Sequence, residues 1–454
     1  MASRRARSLR AALRRPELPG WSLLEYQRER NAQGLIPIGV VLTESGFAGV
    51  VADKVFHVHP LLLALITAAP MFGHLSSVLW ARLAEHVRKA PLVAGIQLAL
   101  GLSTAAIALL PQSATGGVLL ALLVVWCRLL MGGFLTVRSI IWTRNYPGEM
   151  RARATSRLTL IALLSMTLSA ALASVLLDRD PRSVALLYLG GGLASALGAS
   201  LYARVRMRGE ETAASRPLGS ASHVDVRGPR PKLLDILRED PLFLRYLAWQ
   251  FVLGIANMMI EPALVIAVSH DLQASYATSI ALTLVLPTAL SFLTIPLFAA
   301  WLDRMHVAAF RARHTWLWVL SQALTGYGVL SGSLLWIGVG RSVLGLARGG
   351  GQLAWQIGHN DFARPERAGL YMGLHVTLTG LRGTFAPFVG ALLYAGFEGA
   401  TLPFFGIEIP AFSGVGGWTM IAGAVLSAVA TLGFTALHRQ IAAGRAAGRC
   451  VATP

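Results

Sequence analysis

The sequence predicts an all-α integral membrane protein whose twelve spans form two pseudo-symmetric six-helix halves. Three observations lead there. The 454 residues are 54% hydrophobic and only 14% charged, with a mean hydropathy of +0.58, far too apolar for a soluble chain of this size. Twelve apolar runs, each near the roughly 20 residues that cross a bilayer as a helix, fall at about 34–52, 60–82, 90–110, 116–141, 156–177, 183–203, 245–269, 276–301, 314–331, 334–356, 368–395 and 415–437. Arg-x-x-x-Gly occurs twice, at Arg128–Gly132 and Arg341–Gly345, offset by 213 residues, and the same offset separates Trp142 from Trp355.

Taken in order, residues 1–33 read as a basic cytoplasmic tail. Arg4, Arg5, Arg7, Arg10, Arg14 and Arg15 precede Pro16, and Trp21, Leu23, Leu24 and Tyr26 stand among charges. No long apolar run follows the arginines, which excludes a secretory signal peptide. A tail lying on anionic headgroups fits this composition; an Arg-rich, acid-poor organelle transit peptide is the alternative. The first half, 34–208, ends near Arg204, Arg206 and Arg208. A polar linker, 209–240, carries Pro217, Gly219, Gly228, Pro229 and Pro231 and separates it from the second half, 241–440, and a short cytoplasmic tail, 441–454. Glu44 and Glu261, Asn145 and Asn360, and Trp80 and Trp301 pair at offsets of 217, 215 and 221, the drift that unequal loops produce. Because six is even, both halves share one orientation, a parallel repeat.

The net charge of +18 is a topology signal. Lys and Arg gather in both tails, in the linker and in the loops near 82–89, 144–157, 304–313 and 364–367, whereas the opposite loops hold only Lys54, Arg179 and Arg182. The positive-inside rule then puts both termini in the cytoplasm. The expected partners are a lipid bilayer and a small-molecule substrate, with no nucleic acid. Two cysteines, Cys127 and Cys450, make neither a disulfide scaffold nor a Cys-rich metal site.

These motifs resemble those of the major facilitator superfamily (MFS) over about residues 34–440. Arg128-x-x-x-Gly132 on the fourth span looks like the family's motif B, whose arginine is associated with proton coupling. Trp80-Ala81-Arg82 through Arg88-Lys89 resembles motif A, with Ala81 at the usual aspartate, and Asp303-Arg304 resembles its second-half copy. The resemblance implies gating contacts for Arg82, Asp303 and Arg304. The antiporter motif is missing from the fifth span, and Ala386-Pro387-x-x-Gly390 on the eleventh is similar to part of it. The resemblance also implies that the first, fourth, seventh and tenth spans line a cavity, bringing Glu44 near Arg128 and Glu261 near Arg341, with solute bound between the halves near the midplane.

Ionisable side chains at membrane depth cost at least about 2.5 kcal/mol each and face a cavity or a partner. At 1.5 Å per residue, Glu44 lies about 13 Å inward from Asp53 and Glu261 about 15 Å inward from Asp271. A guanidinium holds such a carboxylate ionised, and protonating the carboxylate frees the guanidinium for an anionic group; a tie between helices that never titrates is the alternative. Asn257, four residues before Glu261, shares its helical face, and Pro262 loosens the span there. His375 is a candidate proton-responsive group, with an unperturbed pKa of about 6.5, or a hydrogen-bonded core histidine. Arg382 and Arg348 have no first-half counterpart, Met166 and Leu135 standing at the shifted positions, so solute identity is expected to be encoded there. Arg138 reads as an anchor that snorkels to the inner face.

His359-Asn360-Asp361 ends the tenth span, and Asn145 ends the fourth. Capping and cytoplasmic-gate contacts by Asn145, Asn360 and Asp361 account for these clusters. The expectation is a monomeric secondary active transporter in a bacterial inner membrane, moving a small organic solute, anionic or zwitterionic, by alternating access. It needs no cofactor or metal beyond a proton gradient. The alternative is an integral-membrane enzyme, lipid-handling protein or sensor on the same scaffold, using His359 and Asp361.

Overall fold

The computed structural model describes residues 18–210, 238–363, 367–404 and 407–446. The arginines of the N-terminal tail, most of the linker, Pro365, Glu366 and Cys450 lie outside the described residues.

All twelve predicted spans fall on helices. In chain order these are α1 (Gly20–Leu42, resuming as Ser45–Phe56), α2 (Pro60–His86), α3 (Lys89–Ala106), α4 (Ala114–Asn145), α5 (Gly148–Arg179) and α6 (Val184–Tyr202). Then come α7 (Pro241–Val265, ending in a π-helical stretch Ile266–Asp271), α8 (Tyr276–Ile280, π-helical over Ala281–Val285, then Leu286–Leu302) and α9 (Val307–His314 and Trp316–Leu330). The series closes with α10 (Leu334–Ile357), α11 (Ala368–Ala395) and α12 (Trp418–Ala446). Among the described residues nine helices are long and apolar enough to cross a membrane, and the bent pair that forms α1 makes a tenth. The remaining two predicted spans are α9, broken at Thr315, and α10, which carries Arg341 and Arg348. An antiparallel hairpin of β1 (Gly396–Phe404) and β2 (Ile407–Ser413) joins α11 to α12; the sequence reading had no strand there.

Two boundaries differ from the sequence reading for a physical reason. α1 begins at Gly20, so part of the expected tail is packed helix: Ser22, Tyr26, Glu29, Ala32, Gln33, Ile36 and Val40 are buried, a spacing of three and four that keeps one face inward. α9 begins at Val307, so Arg311 is a buried helical residue and not a loop charge.

The described residues pack as two compact units. The first comprises those within Met1–Glu44, Leu75–Pro111 and Leu122–Arg227, the second those within Ser45–His74, Gln112–Ala121 and Gly228–Pro454. In the first, Phe134, Val137 and Ile141 of α4 pack with Val93, Ile96 and Leu100 of α3 and Ile36 and Val40 of α1, and Cys127 of α4 is fully buried. The face of α5 that carries Leu160, Leu164, Leu168 and Leu172 is exposed, the stripe expected of a helix side turned to lipid. In the second, Phe243 and Tyr246 of α7, Phe310 of α9, Tyr371 of α11 and Phe434 of α12 form an aromatic core with Phe362. Gly390 of α11 sits directly on the Met259 carbonyl of α7, where any Cβ would collide with backbone. Two other glycines serve similar close approaches, Gly133 against the Trp80 ring and Gly349 against Ser291 and Thr294.

Candidate functional site

In the first unit, Arg128 of α4 reaches the break in α1. Its Nη1 donates to Glu44 Oε1 at 2.6 Å, Nε donates to the Thr43 carbonyl at 3.1 Å, and Nη2 donates to the Val40 carbonyl at 3.2 Å and Thr43 Oγ1 at 3.1 Å. The last carbonyls of a helix lack intrahelical partners, so ending the first piece of α1 at Leu42 creates the acceptors that the guanidinium fills. The Arg128 side chain is 5% exposed and that of Glu44 is 24% exposed. The cation is therefore fixed in the interior, and the carboxylate keeps an open side.

In the second unit, Arg341 of α10 repeats the theme with different acceptors. Nη2 lies 3.7 Å from Glu261 Oε1 of α7, Nε donates to the Leu282 carbonyl at 2.9 Å and Nη2 to the Thr283 carbonyl at 3.3 Å. Those carbonyls belong to the π-helical stretch of α8, where the regular hydrogen-bond ladder is interrupted. The arginine side chain is 3% exposed and that of Glu261 is 35% exposed. Both predicted acid and guanidinium pairs are thus brought together, the first as a tight ion pair and the second as a longer one.

Asn257 is engaged elsewhere. Its Oδ1 accepts from Gln322 Nε2 of α9 at 2.6 Å, and Gln322 Oε1 accepts from Ser427 Oγ of α12 at 2.7 Å, a polar chain that joins three helices. The α7 backbone departs from α-helix at Ile266, four residues beyond Pro262. His375 and Arg382 of α11 are buried. The His375 ring lies 5.4 Å from Trp355, and Arg382 donates to the Gln250 carbonyl of α7 and to Thr379 Oγ1. Arg348 is exposed.

Of the residues expected at a cytoplasmic gate, Arg82, Asp303, Arg304 and Asn360 are exposed. Asp303, Asn360 and Asp361 line a recess of about 300 Å³. Asn145 and Asp361 are occupied within their own units. Asn145 Nδ2 donates to the Arg206 carbonyl at 2.8 Å and its Oδ1 accepts from the Arg208 amide at 2.9 Å, while Asp361 Oδ2 accepts from the Val307 amide at 2.5 Å, capping α9. Among the described residues no group of three His, Cys, Asp or Glu is placed to hold a metal. His359 is buried, and burial holds its imidazole below the ordinary histidine range.

Two sets of residues escaped the sequence reading. Glu29 of α1 is 1% exposed and accepts from Trp142 Nε1 at 2.6 Å and Tyr146 OH at 2.9 Å. Arg138 interacts with this carboxylate and is clasped between the Phe134 and Trp142 rings, its Cζ 4.2 Å from each centroid. It is buried and does not snorkel, because the rings one turn away on either side hold it inside. Arg311, the second missed set, lies in the second unit with Tyr246 and Gly351.

No family model matches the sequence, and no curated protein matches it. Solved structures do match. A point mutant of the nucleoside transporter NupG is 12% identical with a TM-score of 0.66, covering 91% of this chain and 99% of its own. The D-xylose-proton symporter gives 11%, 0.66, 91% and 97%. A bacterial homolog of the human lysosomal transporter Spinster, in an inward-facing and unoccupied conformation, gives 14%, 0.58, 91% and 97%. The chain has the all-α, MFS-like fold of these transporters and is an integral, multi-pass membrane protein.

Proposed function

We propose that this chain is a secondary transporter that moves a small organic solute across a bacterial inner membrane by alternating access, coupled to protons. The observation that carries this reading is the matched pair of buried arginines, Arg128 and Arg341, each beside a glutamate with an open side. Proton binding at Glu44 or Glu261 neutralises the partner of a buried arginine and so alters the pairing that solute competes for. The fold shared with a nucleoside transporter and a D-xylose-proton symporter supports it. The protein works as a monomer, without a cofactor, with both termini in the cytoplasm, where the basic loops stay on the positive-inside rule.

The test begins with thermal-shift screening of small metabolites on purified protein at two pH values, since a ligand of the folded state raises the melting temperature. The solute so found is then supplied to proteoliposomes with acid outside. Accumulation that is lost in Glu44→Gln and Glu261→Gln supports the reading. Transport by both variants that ignores pH removes proton coupling.

A further inference from the structure

The second unit holds two buried guanidiniums beside a buried imidazole, and among the described residues no carboxylate pairs with either guanidinium. Arg311 of α9 is 2% exposed, Arg382 of α11 is 4% and His375 of α11 is 2%. Arg311 reaches the Gly351 carbonyl of α10, Arg382 the Gln250 carbonyl of α7, and the His375 ring stands 5.4 Å from Trp355 of α10; the charge of Arg311 is felt at Arg382, and both charges are felt at His375. Asp361, whose charge acts on the adjoining Tyr246, accepts from the Val307 amide.

The protein's own acceptors satisfy only part of this cluster. Arg311 Nη2 donates to the Gly351 carbonyl at 3.3 Å and meets Tyr246. Arg382 uses Nη1 for the Gln250 carbonyl and Nη2 for Thr379 Oγ1 at 3.3 Å. Among the described residues Arg311 Nε, Arg382 Nε and His375 Nε2 are buried with no hydrogen-bond partner, and so is His359 Nδ1. A guanidinium offers five N–H donors in a planar fork. Leaving such donors dry beside a second like charge is among the costliest arrangements in a protein interior.

The fold makes room for it nonetheless. Gly254 of α7 lies close against the Arg382 guanidinium, and a Cβ there would overlap it. The glycine lets the cation rest on the α7 backbone.

We propose that Arg311, Arg382 and His375 form a site for an oxyanion, the carboxylate or phosphate group of the transported solute. This names the solute class and rests on the transporter reading. An oxyanion supplies the acceptors that the orphaned N–H groups lack, and two guanidinium forks match its geometry. Trp355, 5.4 Å from His375 and donating to Thr379 Oγ1 at 3.2 Å, holds the histidine face of the site.

The experiment is equilibrium binding by the full chain in detergent, with sodium succinate and sodium phosphate as probes and sodium chloride holding ionic strength. The expected result is a saturable rise in melting temperature with one probe, absent in Arg382→Met. In anion-poor buffer Arg382→Met melts at or above the unaltered protein, because it removes an uncompensated charge. Arg382→Lys keeps the charge and loses the fork, and its half-saturating concentration rises at least about tenfold. Which probe binds separates carboxylate from phosphate. No saturable rise with either probe, or a rise undiminished in Arg382→Met, overturns the site. So does an Arg382→Met variant that melts well below the unaltered protein in anion-poor buffer, since that marks a plain tie between α7 and α11. Because binding is read without transport, anion binding by a protein that moves no solute retires the transporter reading alone, whereas uptake of a neutral sugar with no anion binding retires this site alone.

Discussion

Arg128 donates to Glu44 at 2.6 Å while two more of its nitrogens hold the Val40 and Thr43 carbonyls at the break in α1. The guanidinium therefore has work that outlasts the ion pair. Glu44→Gln should keep the fold, with stability changed by no more than about 1 kcal/mol, because an amide oxygen still accepts from Nη1 and the open side of residue 44 hydrates the remainder. Arg128→Ala should cost about 3–5 kcal/mol, since it strands buried carbonyls as well as the carboxylate. Thermal or denaturant melts of the two variants check the asymmetry.

Glu29 and Arg138 should behave as a coupled buried pair. Glu29→Ala leaves Arg138 charged between Phe134 and Trp142 with no counter-ion and should destabilise by about 3–5 kcal/mol. The double variant Glu29→Ala/Arg138→Met should recover much of that loss. Additive losses in the double-mutant cycle would show that the two side chains do not interact.

The crossing of α7 and α11 should be intolerant of volume. Gly390→Ala forces a methyl group against the Met259 carbonyl, so the helices must separate, at a cost of about 1–3 kcal/mol. Gly373→Ala, on the same helix with nothing among the described residues within 4 Å of its added carbon, should be neutral or slightly stabilising. A fluorescence melt of the pair separates local crowding from a general effect of alanine.

Asn257 should act on stability before it acts on solute. Asn257→Ala removes the acceptor of Gln322 and should cost about 1–3 kcal/mol, the price of a buried donor left unpaired. Ser427→Ala cuts the same chain at its other end and should cost less, because it leaves an acceptor bare. A variant of normal stability with weakened solute binding would place Asn257 at the solute instead.

The helical scaffold was legible because bilayer crossing imposes long apolar runs, and all twelve landed on helices. The Arg128 and Arg341 pairs were legible because a lone charge inside such a run demands a partner. Glu29 and Arg311 were not read, because each sits among other charges, in Arg28-Glu29-Arg30 and Arg311-Ala312-Arg313, where hydropathy ends the span early. Helical phase carried the missing signal: Glu29 falls three and seven residues before the buried Ala32 and Ile36. Asn257 shared a face with Glu261 on paper, but which neighbour takes an amide depends on Gln322 and Ser427, distant in sequence. The hairpin of β1 and β2 left no apolar alternation long enough to distinguish it from a loop.

Cys127, sealed inside the first unit beside Arg128, gives the molecule a built-in chemical reporter. With Cys450 replaced by serine it is the sole thiol of the chain, so maleimide reactivity reads one address next to the ion pair. Labelling should be slow at rest, and any rearrangement that parts α4 from its neighbours should register as faster alkylation, with no engineered probe in the bundle.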